Sequence, residues 1–200
     1  MDESRGSTRR RFILTAGTLA AGYGLYPADG ALAQPLSPTP ECSDGAAPTQ
    51  RQTEGPFFKP SSPERTDLVE AGMRGQTLVL TGFVLTRGCK PVARALIDFW
   101  QADTEGQYDN SGNRLRGHQF TDAEGRYRLR TVVPASYPGR TRHLHVKVQP
   151  PGGRILTTQL YFPGEAHNRT DRFFRRELLV RTALAKGDVA GRFDFVLDMR

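Results

Sequence analysis

A chain of 200 residues with 37% hydrophobic side chains, 21 glycines and 14 prolines has room for one domain and an appendage, and so turn-rich a composition argues against a helix bundle. The net charge of +7 is carried by scattered arginines. With no zinc finger, RNA-binding aromatic motif or long basic helix beside it, that charge argues against nucleic-acid binding and for small anions such as carboxylates and phenolates.

Residues 1–33 read as an export signal. Thr8-Arg9-Arg10-Arg11-Phe12-Ile13-Leu14 opens an apolar, small-residue run to Leu25, and Ala31-Leu32-Ala33 has the small-x-small spacing of a cleavage site. The run is too short and too rich in glycine for a transmembrane helix, so no stable membrane anchor is expected. The paired arginines before Phe12 resemble a bacterial twin-arginine signal, handled by the machinery that exports folded proteins; an ordinary secretory signal is the alternative. The mature chain then starts near Gln34 and works in the periplasm or outside the cell.

Residues 34–75 read as an extended arm, with a short turn of helix around Pro63–Ala71. In it, Gln52-Thr53-Glu54-Gly55-Pro56-Phe57-Phe58 mixes aromatics with a Gly-Pro turn, which suggests a strap laid over the domain. The two cysteines, Cys42 and Cys89, form one disulfide in an oxidising compartment or remain two free thiols.

Residues 76–200 carry a β pattern. Strands are expected at Leu78–Leu85, Ala95–Gln101, Arg126–Val132, Arg142–Gln149, Ile155–Phe162 and Gly191–Leu197, each bounded by Gly or Pro. Residues 171–186 form a helix-compatible, arginine-rich run. Short strands separated by turn signals argue for an all-β fold, an antiparallel β-sandwich with a short extended N-terminal arm.

The chemistry centres on one stretch. On a strand, His143 and His145 point to the same face, roughly 7 Å apart along the chain, and can converge on one metal. Tyr137 enters from the turn before them, and Tyr108 lies on the loop after Asp98-Phe99-Trp100-Gln101-Ala102-Asp103. Read plainly, the H-x-H is a polar strand pair and the tyrosines are packing or surface groups.

The order of motifs resembles the intradiol ring-cleavage dioxygenases, the non-haem iron(III) enzymes that include catechol 1,2-dioxygenase and protocatechuate 3,4-dioxygenase. The matching stretches are Asp98–Asp103 with Gly106-Gln107-Tyr108; Arg116-Gly117 with Thr121-Asp122 and Gly125-Arg126-Tyr127; Pro134–Pro138; Arg140–His145; and Leu156–Gly164. The resemblance implies Fe(3+) held by Tyr108, Tyr137, His143 and His145, with catechol-type substrate and O2 as partners and a cis,cis-muconate-type dicarboxylate as product. Two phenolates are hard anionic ligands that suit Fe(III). It implies that Tyr137 leaves the metal and takes a substrate proton. Arg140 would stabilise negative charge on the ring, and Gln159 would orient the substrate. Arg142 is the alternative arginine, but a residue adjacent to His143 faces away from it in a strand.

The chain departs from the family pattern in three places. Thr141 stands where the family usually has Pro, the gap from Tyr137 to His143 is short, and the long helical N-terminal region of catechol 1,2-dioxygenases is missing, which leaves the oligomeric state open. Gln52–Phe57 resembles the arm of a secreted branch of the family. The basic balance and Arg140 suit an acid-bearing ring. His118 and His167 read as surface residues. Two rivals stand beside this reading. A non-catalytic transthyretin-like β-sandwich binding module shares the strand and turn rhythm but does not explain Tyr137 with the histidines. A zinc hydrolase would use the H-x-H pair but needs a third His or acidic ligand.

Overall fold

A computed structural model describes Cys42 and residues 45–199 of the chain; the expected signal at 1–33 lies outside the described residues. Nine strands are present among them: β1 Thr77–Thr86, β2 Leu96–Trp100, β3 Arg116–Phe120, β4 Arg126–Val132, β5 His143–Gln149, β6 Leu156–Tyr161, β7 Arg181–Ala185, β8 Asp188–Arg192 and β9 Phe195–Leu197. They form two sheets. One runs β3-β2-β5-β6, antiparallel throughout; the other runs β4-β1-β8-β7, with β9 also on β1. The result is an all-β sandwich.

The alternation in the sequence decides which side of each strand is buried. Along β1 every second residue is buried, and Leu78, Leu80 and Val84 are closed to solvent. Ile97, Phe99, Leu129, Leu144, Val146, Val148 and Phe195 join them in one apolar core between the sheets. In β1, the pairings with β8 and β9 are parallel. Gly82 makes that crossover possible: a Cβ there would lie 1.7 Å from the carbonyl oxygen of Phe193, where the chain steps from β8 to β9.

Two local expectations are corrected. Residues 63–71 hold no helix, because their backbone groups pair with strands instead. Arg65 N donates to His118 O, Leu68 N to Arg130 O, and Arg130 N to Thr66 O. Buried Leu68 anchors the strap to the core. The run 171–186 also is not a helix. It holds a 3-10 turn at Arg176–Leu178 and then β7, which returns through Lys186-Gly187 into β8. Both turn residues have positive φ (51° and 89°), as a two-residue hairpin turn requires. The unanticipated β3 is polar at Arg116, His118 and Gln119 and does not alternate between buried and exposed residues, so it offers no period-two signal.

The described arm runs along β6, the edge strand of the four-stranded sheet. Gln52 N donates to Thr157 O, Thr158 Oγ1 to the carbonyl of Gln50, and Arg51 Nη1 to the carbonyl of Ile155. Covering an edge in this way blocks pairing with other chains. Cys42 and Cys89 are joined as a disulfide, with Cα atoms 5.5 Å apart, which ties the start of the arm to the turn after β1.

Candidate metal centre

On β5 the apolar residues Leu144, Val146 and Val148 fill the core, so His143, His145 and Lys147 point to the opposite face of the sheet. Strand register sets their neighbours: His145 stands between Trp100 on β2 and Gln159 on β6, and His143 is opposite Tyr161. Trp100 stacks on the His145 ring at 4.9 Å with only 7° between planes, which fixes the imidazole's orientation.

Tyr137 comes from a tight turn. Tyr137 and Arg140 exchange backbone hydrogen bonds across Pro138-Gly139, with Gly139 at φ 78°. Tyr108 comes from the loop after β2. Asp103 Oδ1 accepts the N–H groups of Glu105 and Gln107 just before it. The Asp109 carboxylate accepts those of Ser111, Gly112 and Arg114 just after it, which holds that carboxyl far below its usual range. Buried Arg116 clamps the Asp109 carbonyl through Nε and Nη2. Gly106 lets this loop close on the turn, since a Cβ there would meet Tyr137 Cβ at 3.2 Å. Phe57 of the arm stacks on Tyr108 at 4.3 Å.

These elements bring four donor atoms together. The phenol oxygens of Tyr108 and Tyr137 each lie 3.4 Å from His143 Nε2, and His145 Nε2 lies 3.2 Å from it. His143 Nδ1 is 2.7 Å from the Thr141 carbonyl, an acceptor only, so the proton sits on Nδ1 and Nε2 presents a lone pair. Burial first, and then the Arg140 charge, lower the His143 pKa to about 4; burial and His143 lower that of His145 well below its ordinary value. Both imidazoles are therefore neutral at pH 7. Burial, then the neighbouring Tyr137, push the Tyr108 phenol up. The two neutral imidazoles and two phenols have one another at 3.2–3.4 Å, three contacts crowded on a single nitrogen; a cation at that point would engage all four and favour the phenolate forms. The donor set, two nitrogens and two hard oxygens, fits ferric iron. Among the described residues no three His, Cys, Asp or Glu gather as a zinc hydrolase would require.

Arg140 and Gln159 lie beside the centre. An Arg140 Nη2 hydrogen bond meets Gln159 Oε1, which also accepts from Tyr161 Oη at 3.1 Å, while Gln159 Nε2 donates to the Thr53 carbonyl of the arm at 2.8 Å. Arg140 Nε pairs with Asp171 at 3.0 Å. Burial alone would raise the Asp171 carboxyl, but the N–H groups of Phe173 and Thr141 and the Arg140 guanidinium outweigh it and hold it low. Arg142 turns the other way, to Glu165 at 3.4 Å. His167 is exposed, but His118 is half-buried, with Nδ1 2.7 Å from the Ser62 carbonyl, so its surface reading is corrected.

Sequence reasoning missed Trp100, Phe57, Arg116 and Asp171. Trp100 could have been found by its place in an alternating strand; Asp171, 26 residues past His145 in a run read as helical, gave no signal.

A family model described as "Dioxygenase" matches residues 53–199. A catechol 1,2-dioxygenase of Acinetobacter baylyi is 29% identical over 191 residues, 76% of this chain and 61% of the relative. The chain spans about half the length of other curated relatives that it matches. Among solved structures, the dioxygenase domain of a dioxygenase–carbohydrate-binding protein fusion from Streptomyces sp. SirexAA-E is 55% identical, with TM-score 0.76 over 77% of this chain and 100% of that one. The 3-chlorocatechol 1,2-dioxygenase of Rhodococcus opacus is 31% identical, with TM-score 0.71 over 76% of this chain and 73% of that one.

Proposed function

Because the chain belongs to the intradiol ring-cleavage dioxygenase family, we propose that it cleaves a catechol-type aromatic between its two hydroxyl-bearing carbons, consuming one O2 and giving a cis,cis-muconate-type dicarboxylate. The observation that carries this reading is the convergence of Tyr108, Tyr137 and His145 on the unprotonated nitrogen of His143. Ferric iron bound by these four residues would supply the Lewis acidity that ionises the catechol and makes its ring reactive towards O2.

The protein's own groups do the rest. Tyr108 is braced by the stacked Phe57 ring and by the Asp109 turn, so Tyr137 would be the tyrosine whose phenolate oxygen takes a substrate hydroxyl proton. Arg140 presents a fixed guanidinium to negative charge developing on the ring. Gln159 holds that guanidinium in place and is itself tied to Thr53, so the arm contributes to the orientation. Phe57 and Gly55 close the site against water on the arm side, lying against Tyr108 and His145.

The test is a visible spectrum of the protein supplied with ferric iron, followed by catechol in air. A tyrosinate-to-iron colour that shifts on adding catechol, with one O2 consumed per catechol, is expected. A protein that stays colourless and binds catechol without consuming O2 is a transthyretin-like binding module. We also propose that the protein works in the periplasm or outside the cell, exported by the twin-arginine route; the Arg9-Arg10-Arg11-Phe12 run and the Cys42–Cys89 disulfide support this. Protease protection in intact cells, lost on opening the outer membrane or absent in the medium fraction, checks it.

A further inference from the structure

Arg140 is the cation nearest the proposed substrate, and on charge alone it suits a ring that bears an acid. Its surroundings argue otherwise. The Asp171 side chain is fully buried, and that of Arg140 is 13% exposed. Asp171 Oδ2 accepts from Arg140 Nε at 3.0 Å and from the Thr141 N–H at 2.9 Å, and Oδ1 accepts from the Phe173 N–H at 2.8 Å. The second of these bonds needs the backbone N–H of Thr141, which a proline there could not supply.

Neighbouring cations are also committed. Arg142 pairs with Glu165, Lys147 with Glu54 and Arg114 with Asp103. Arg116 holds the Asp109 carbonyl through Nε and Nη2; it is 2% exposed and its unpartnered Nη1 is buried, so it is out of reach of a ring carboxylate. Arg172 and Arg175 are exposed, Arg172 over the Phe173 ring at 4.6 Å and Arg175 on the carbonyls of Arg172 and Phe174, where water screens them. A ring carboxylate placed beside Arg140 would meet a guanidinium already matched by a fixed negative charge.

We propose that Asp171 is a specificity-determining residue: it pins Arg140 through Nε and offsets part of its charge, leaving the guanidinium able to stabilise charge that develops on the ring but unable to recruit a ring carboxylate, so that the site takes catechols whose ring bears no carboxylate and rejects those that do. The proposal rests on the dioxygenase reading above. It treats Asp171 as acting through Arg140, by like-charge discrimination against the wrong substrate.

The experiment uses the iron-loaded full chain with catechol and 3,4-dihydroxybenzoate. Anaerobic titration of the visible band gives Kd for each, and O2 uptake gives kcat/KM. The wild type is expected to favour catechol by about tenfold or more in both measures. Asp171→Asn unmasks the Arg140 charge and narrows that preference by about tenfold, while Asp171→Glu, which keeps the charge, retains it. A wild type that takes 3,4-dihydroxybenzoate as well as catechol overturns the proposal, as does an Asp171→Asn variant with an unchanged ratio. If Asp171→Asn does not fold, the wild-type ratio decides alone. A wild type that binds no iron and cleaves neither compound overturns the dioxygenase reading, and this proposal with it.

Discussion

His143 spends its one ring proton on the Thr141 carbonyl, and that single bond decides which nitrogen remains for a ligand. Its neighbour His145 is held from both sides, by the Trp100 ring and by the arm at Gly55. Gly55 has φ 72°, and a Cβ there would lie 3.2 Å from His145 Cε1. Gly55→Ala is therefore expected to lose about 1–2 kcal/mol of stability through left-handed backbone strain alone. It should also weaken iron binding by tilting the imidazole. Thermal unfolding and an iron titration of the same variant check the two effects separately.

Among the elements, the arm and the segment around Asp171 are the ones that the sandwich does not build by itself. The disulfide anchors the arm across 47 positions of sequence. Chain-entropy reasoning puts its contribution near an upper bound of about 4 kcal/mol. Paired Cys42→Ser and Cys89→Ser substitutions should lower the denaturation midpoint, and the loss should persist in iron-free protein. Asp171 gives a pH signature. Its carboxyl is held below the ordinary value, so the unfolded chain takes up that proton first as pH falls. The stability that the ionised carboxylate contributes is complete above its unfolded pKa of about 4 and is lost as pH falls through the folded value. The difference in Tm between the wild type and Asp171→Asn should therefore begin to shrink as pH falls below about 4 and go on shrinking through the lower, folded value.

For the molecule as a whole, the four candidate ligands come from three separate places: the loop after β2, the Tyr137–Arg140 turn and β5. An ion that binds all of them stabilises only the folded state, in which they converge. Removing iron with a chelator should lower Tm, and returning ferric iron should restore it in proportion to the visible colour. A Tm that does not respond to ferric iron would argue against a shared site. The face that carries the ligands is the outer face of the β3-β2-β5-β6 sheet, with the arm along its edge, so the core can stay apolar while the polar chemistry gathers on one side.

Much of this was legible without a structure because β-strands repeat every second residue. The alternation at Leu78–Leu85, Arg126–Val132 and Arg142–Gln149 determined an all-β chain, and the His143-x-His145 spacing determined that both imidazoles share a face. Local pattern failed where a segment's backbone bonds to distant strands. Residues 63–71 gave up a helical turn for bonds to His118 and Arg130, and 181–192 became a hairpin on the strength of Lys186-Gly187. The site divides in the same way. Tyr108, Tyr137, His143, His145, Arg140 and Gln159 could be named from motif order, since each sits in a recognisable local frame. That Trp100 stacks on His145, that Arg116 braces the loop of Tyr108, and that Asp171 pairs with Arg140 were decided only by the tertiary structure. Those partners are chosen by strand register and chain crossing, and no local sequence pattern encodes which distant residue will be brought alongside.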